Sequence, residues 1–131
     1  MKAGEFAHFL ADRLNPGAIS FGDGLTYLLT QYADDYEIER RNAASIVHIF
    51  MRDELAIKDE ERPEEIKKAS KLCDLYDCRV CVAGITQVYV RNIMDAGYWL
   101  ESGRVMFGGR DVFEQDEAEL IVSRIQKMFL A

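Results

Sequence analysis

Three cysteines within nine residues, Cys73, Cys78 and Cys81, have the spacing in this sequence that most resembles a chemical device. Cys-x4-Cys-x2-Cys opens the loop that holds plant-type iron–sulfur clusters, and thiolates so placed also hold zinc. Both uses need a fourth ligand, and no further cysteine follows. The residues between lack the Gly and Ser that let a loop wrap a cluster. His48 falls, by helical period, on a polar stripe with Arg41, Ser45 and Arg52. The spacing therefore fits either a metal site or a structural cluster, and the missing ligand favours the second. On that reading Cys73 and Cys81 are small core residues and Cys78 lies at a helix junction. Neither a metal nor another cofactor is expected. An odd, clustered cysteine set does not suit a disulfide framework and points to a reducing, cytoplasmic setting.

Catalysis has little else to draw on. The two histidines stand beside no plausible nucleophile, and Gly22-Asp23-Gly24 is too short to cradle a phosphate. Acid pairs such as Asp34-Asp35, Glu60-Glu61 and Glu64-Glu65 are sequence neighbours that project in different directions on a helix, which suits solvated faces and caps.

Two binding readings remain. Helix, turn, helix and then a Gly-turned ribbon, over residues 63 to 113, is the order of a winged helix-turn-helix domain. In that case Thr86, Gln87 and Arg91 would face the major groove, with Arg104 and Arg110 on phosphates. Charge weighs against it, since the net charge is −7. Only residues 79 to 110 are net basic, with four arginines against two acids. The favoured reading is a small acidic module, an adaptor, inhibitor or regulatory subunit, that binds another protein or a second copy of itself. Its anchor would be the ribbon face carrying Trp99, Met106 and Phe113, with Arg104 at the rim.

The elements that must position these residues are mostly helical. Residues 3 to 14 place Phe6, Phe9, Leu10 and Leu14 on one stripe, and Asn15-Pro16-Gly17 is a strong stop. A second helix starts after Ser20 or Asp23. Its phase persists to Ile57, but one helix from 24 to 57 would be roughly 50 Å long, against a radius of gyration of about 14 Å for a domain of this size. A break at Asp34-Asp35 is therefore expected, with Asp34 and Glu37 forming a capping box. The following helix, Asp35 to Ile57, is apolar over more than half its circumference and should be central. Further helices are expected from Pro63 to Asp77, Arg79 to Gly97 and Asp116 to Leu130.

Between the last two, Tyr98–Glu101 and Arg104–Phe107 read as strands around a two-residue Ser102-Gly103 turn, which sets Trp99 opposite Met106. Gly108-Gly109 leads to a third strand, Arg110–Phe113. The expectation is a mainly α fold of five to six helices with a small antiparallel hairpin or meander near 98–113. Residues 1 to 131 read as one helical domain carrying that ribbon as an insertion. No membrane span or signal peptide is recognised.

Overall fold

Helix α3 (Arg40–Ile49), continued by a wider π turn (Phe50–Glu54), runs through the middle of the computed structural model, which describes residues 1 to 130. Ala43, Ala44, Ile46, Val47 and Phe50 are all withdrawn from solvent, so a helix apolar on most of its circumference is covered on more than one side. Around it pack α1 (Ala3–Leu14), α2 (Asp23–Leu29) and α5 (Val82–Val90). The short α4 (Pro63–Ile66) and α6 (Gln115–Ile125) complete a mainly α fold of six helices among the described residues. Strands β1 (Tyr98–Trp99) and β2 (Val105–Met106) form a two-stranded antiparallel hairpin. One buried apolar cluster extends from Ala3 to Ile125.

Helices α3 and α5 approach closely. A Cβ on Gly84 would lie 2.9 Å from Ser45 Cα and 3.0 Å from Ala44 O, so these helices meet backbone to backbone at small residues. Only glycine permits that distance.

Several boundaries differ from the sequence-based expectation, each for a tertiary reason. Residues 36 to 39 are extended, and α3 begins at Arg40 rather than Asp35. Ile38 is fully buried, and its backbone is held from both sides: its N–H donates to Met1 O, and its C=O accepts from Phe113 N, each at 2.9 Å. Isolated bridges Lys2–Glu37 and Glu39–Val112 continue the pairing. The Asp34/Glu37 capping box is thus replaced by Glu39 N donating to Asn42 Oδ1 at 2.9 Å. The expected third strand near 110–113 pairs with this segment, not with the hairpin.

The helix expected from Pro63 to Asp77 is α-helical only to Ile66 and tightens to a 3-10 turn over Lys67–Lys71. Leu72 then runs extended so that its side chain reaches the core, and Cys73 N donates to Val105 O at 2.9 Å. The helix expected over 79 to 97 opens as a 3-10 turn (Arg79–Cys81), and α5 ends at Val90. Asn92 takes φ +60°, and Ile93 N and Met94 N both donate back to Val88 O. An asparagine does here what was assigned to Gly97.

The hairpin register is shifted by one from expectation: Tyr98 pairs with Met106 and Trp99 with Val105. Leu100 N donates to Arg104 O at 2.8 Å, and Gly103 takes φ +82°. That closes a three-residue loop, Glu101 to Gly103, in place of a two-residue turn.

Replacing Gly84 by Ala must push α3 and α5 apart. The variant is expected to lose about 1 to 3 kcal/mol in denaturant melts through overpacking, whereas Gly4→Ala, with nothing near its Cβ position, should be neutral or better.

Candidate functional site

The hairpin is fastened from behind by one buried cation. Arg40, only 8% exposed at the first turn of α3, donates Nε and Nη2 to the Glu117 carboxylate, at 2.9 and 2.7 Å to Oε2. Its Nη2 also donates to Asp95 O at 2.8 Å, its Nη1 to Phe107 O, and its guanidinium lies 4.4 Å from the centre of the Phe107 ring. The segments entering β1 and leaving β2 are therefore tied to α3 and to the first turn of α6. A cation at the start of α3 opposes that helix's dipole, and the Glu117 carboxylate offsets it.

Asp74 makes the second attachment. Its carboxylate accepts the backbone N–H groups of Phe107 (2.7 Å), Gly108 (2.9 Å) and Gly109 (3.4 Å), where consecutive amides form an anion-binding concavity. The third is the Tyr98 hydroxyl, which donates to Asp111 Oδ2. That bond holds the phenolic proton and, with the nearby carboxylate charge, raises the Tyr98 pKa above its ordinary value.

On this support β2 lies between β1 and the Leu72–Cys73 segment, so β1 is the outer edge. Trp99 is 77% exposed, with Tyr98, Leu100 and Arg104 also exposed beside it. Met106 is half-buried. Phe113, expected on the same face, is instead wholly buried against Phe6, with ring centroids 4.6 Å apart. Its neighbour Val112 is the exposed one, because pairing with residues 37 to 39 sets the local alternation.

The residues proposed for a DNA-reading helix are not displayed. Thr86 and Gln87 are buried, and the Gln87 amide exchanges two hydrogen bonds with the Glu60 backbone, at 2.8 and 3.0 Å. Arg91 is half-buried and stacks over Phe129 at 4.9 Å. Only Arg104 and Arg110 are exposed, and α5 serves as a core helix braced by the 59–62 loop.

The cysteines also depart from expectation. Cys78 and Cys81 form a disulfide, leaving Cys73 as the free, half-buried thiol. The cysteine count then no longer marks a reducing compartment. Among the described residues no group of three or more His, Cys, Asp or Glu side chains is placed to hold a metal. His48, expected on a polar stripe, is buried with Nε2 2.8 Å from Asp59 Oδ1. Both half-cystines line a groove of about 650 Å³ bounded by α2, α3 and residues 78 to 84, with Tyr27, Tyr32, Ile49 and Val80 on its walls. The overlooked feature is Cys78-Arg79-Val80-Cys81 itself, a C-x-x-C run at the start of a helix, masked by reading Cys73 into the same motif.

Comparison with protein-family models, characterised proteins and solved structures finds no match to this chain. Among the described residues no helix is long and apolar enough to cross a membrane.

Truncating Arg40 to Ala would leave the Glu117 carboxylate and two carbonyls without their donor. The expected cost is about 3 to 5 kcal/mol in denaturant melts; a loss below about 1 kcal/mol would mean the hairpin is held by other contacts. Tyr98 supplies a pH test. Because its folded pKa is raised, its hydrogen bond contributes fully below the unfolded value of about 10 and is lost as pH rises through the folded value. In an ultraviolet titration, Tyr98→Phe should remove a phenol that ionises late; loss of an ordinary phenol titrating at about pH 10 would instead mean the Asp111 bond is not formed.

Proposed function

We propose that this chain is a binding module for another protein and that the 98–104 hairpin is its contact element. The observation that carries this is Trp99, a large aromatic exposed to 77% on an edge strand whose other side is anchored. Tyr98 and Leu100, on the other face of the same strand, are also exposed, and Arg104 supplies a donor across the loop. Aromatic anchors dominate interface energetics because they bury much area with few torsions to freeze, and Arg adds a planar fork of hydrogen-bond donors.

Preorganisation supports the same reading. The attachments of Arg40, Asp74 and Tyr98 leave little backbone freedom to lose on binding, which reduces the entropic cost of association. The acidic surface, at net −7, disfavours nucleic acid as the partner. The exposed Trp99 favours a protein with a hydrophobic pocket.

Trp99 is the single tryptophan, so fluorescence reports this site alone. The isolated protein should emit at long wavelength and be readily quenched by iodide. Trp99→Ala should change stability by less than about 0.5 kcal/mol, as for other exposed positions. A photo-crosslinking residue at position 99 should capture a discrete protein in source cells, and the same residue at exposed Ser123 should not. Blue-shifted, unquenched emission that depends on concentration would identify the partner as a second copy. If emission is blue-shifted at every dilution and Trp99→Ala costs several kcal/mol, the residue belongs to the core and the proposal fails.

A further inference from the structure

We propose that Cys78–Cys81 is a redox-active disulfide that exchanges with the thiols of a protein segment held in the adjoining groove. This site uses none of the hairpin residues, so its failure and that of the hairpin reading are separable. As a structural staple the bond does little: it spans a sequence separation of three and closes a turn already made by Cys81 N donating to Cys78 O at 3.0 Å. Disulfides that restrain the unfolded chain strongly close longer loops.

The pair is asymmetric. Cys78 is half-buried, whereas Cys81 is 3% exposed and stands at the N-terminus of α5. An incoming thiolate therefore reaches the sulfur of Cys78, and the sulfur expelled is that of the buried Cys81. Val80, between the two cysteines, is 90% exposed. It sits with Tyr27, Tyr32 and Ile49 on the wall of a groove whose polar lining includes Gln31 and Asn42. Apolar walls with amide groups and the Arg41 and Arg52 guanidinium donors suit an extended peptide backbone, and both half-cystines line the same groove.

The exchange balances without a cofactor. A substrate thiolate attacks Sγ of Cys78, the Cys78–Cys81 bond breaks, and Cys81 leaves as a thiolate that takes a proton from water. A second substrate thiol, deprotonated, then attacks the substrate sulfur of the mixed disulfide and frees Cys78. The substrate dithiol has become a disulfide, losing the two electrons and two protons that the cysteine pair has gained. A second protein or glutathione disulfide reoxidises the pair by the same steps in reverse.

The test uses the full chain on a Cys73→Ser background, equilibrated in glutathione buffers of graded ratio, quenched by alkylation and read by mass spectrometry. The pair should interconvert reversibly while the circular dichroism of the fold persists. Cys81→Ser should accumulate a Cys78–glutathione mixed disulfide about tenfold faster than Cys78→Ser does at Cys81. A short unstructured dithiol peptide should exchange about tenfold faster than glutathione, an advantage that Val80→Asp removes. A pair that stays oxidised in excess reduced glutathione, or is reduced only as the fold is lost, makes the bond structural and overturns the proposal. Equal rates at the two sulfurs, or a peptide no faster than glutathione, overturns the assigned attack site or the groove respectively. Should the single-cysteine variants fail to fold, the equilibrium of the Cys78–Cys81 pair decides the question alone.

Discussion

The Arg40 guanidinium joins four parts of the chain that share no sequence neighbourhood: the start of α3, the first turn of α6, the approach to β1 and the exit from β2. A buried cation is tolerated only when its donors are used and its charge is met, and here Glu117, two carbonyls and an aromatic face do both. Because each partner comes from a different element, the group acts as a positional constraint more than as a source of net stability. With Asp74 on the amides of 107 to 109, it converts a marginal two-stranded hairpin into a fixed platform. The exposure of Trp99 follows from that arrangement, since β1 is supported from one side and open on the other.

A second constraint, the backbone contact at Gly84, sets where the cysteines lie. Bringing α5 against Ala44 and Ser45 fixes the entry of α5 beside α3, and the turn that precedes it carries Cys78 and Cys81. The groove lies between that turn, α2 and α3. The same helix is thus buried along Ile46, Val47 and Phe50 while contributing Asn42, Ser45 and Ile49 to an open cleft.

The two candidate surfaces rest on different physics. At the hairpin, a rigid aromatic edge offers burial of apolar area with little ordering. At the groove, the chemistry is a bond whose two half-cystines differ in access. Neither depends on net charge, which acts mainly to set aside polyanionic partners.

What the sequence determined by itself was whatever depends on local pattern. The 3.6-residue apolar period located α1, the central part of α3 and α6, and Asn15-Pro16-Gly17 ended α1 where the backbone requires it. Gly103 and the apolar run Tyr98-Trp99-Leu100 marked a hairpin. The tertiary structure decided the rest, because the competing energies were non-local. Ile38 left the helix to be buried between Met1 and Phe113, and Leu72 did so to reach β2. Phe113 turned inward onto Phe6 since its pairing partner was residue 38, not the hairpin. Gln87 was consumed by the Glu60 backbone. His48 fell on a polar stripe of the helical wheel, yet it lies buried beside the Asp59 carboxylate, and Arg40 is buried beside the Glu117 carboxylate of a distant helix. Period and propensity register which residues are apolar, but a polar side chain is buried only when a partner arrives from elsewhere in the chain, and that meeting is a property of the packed fold.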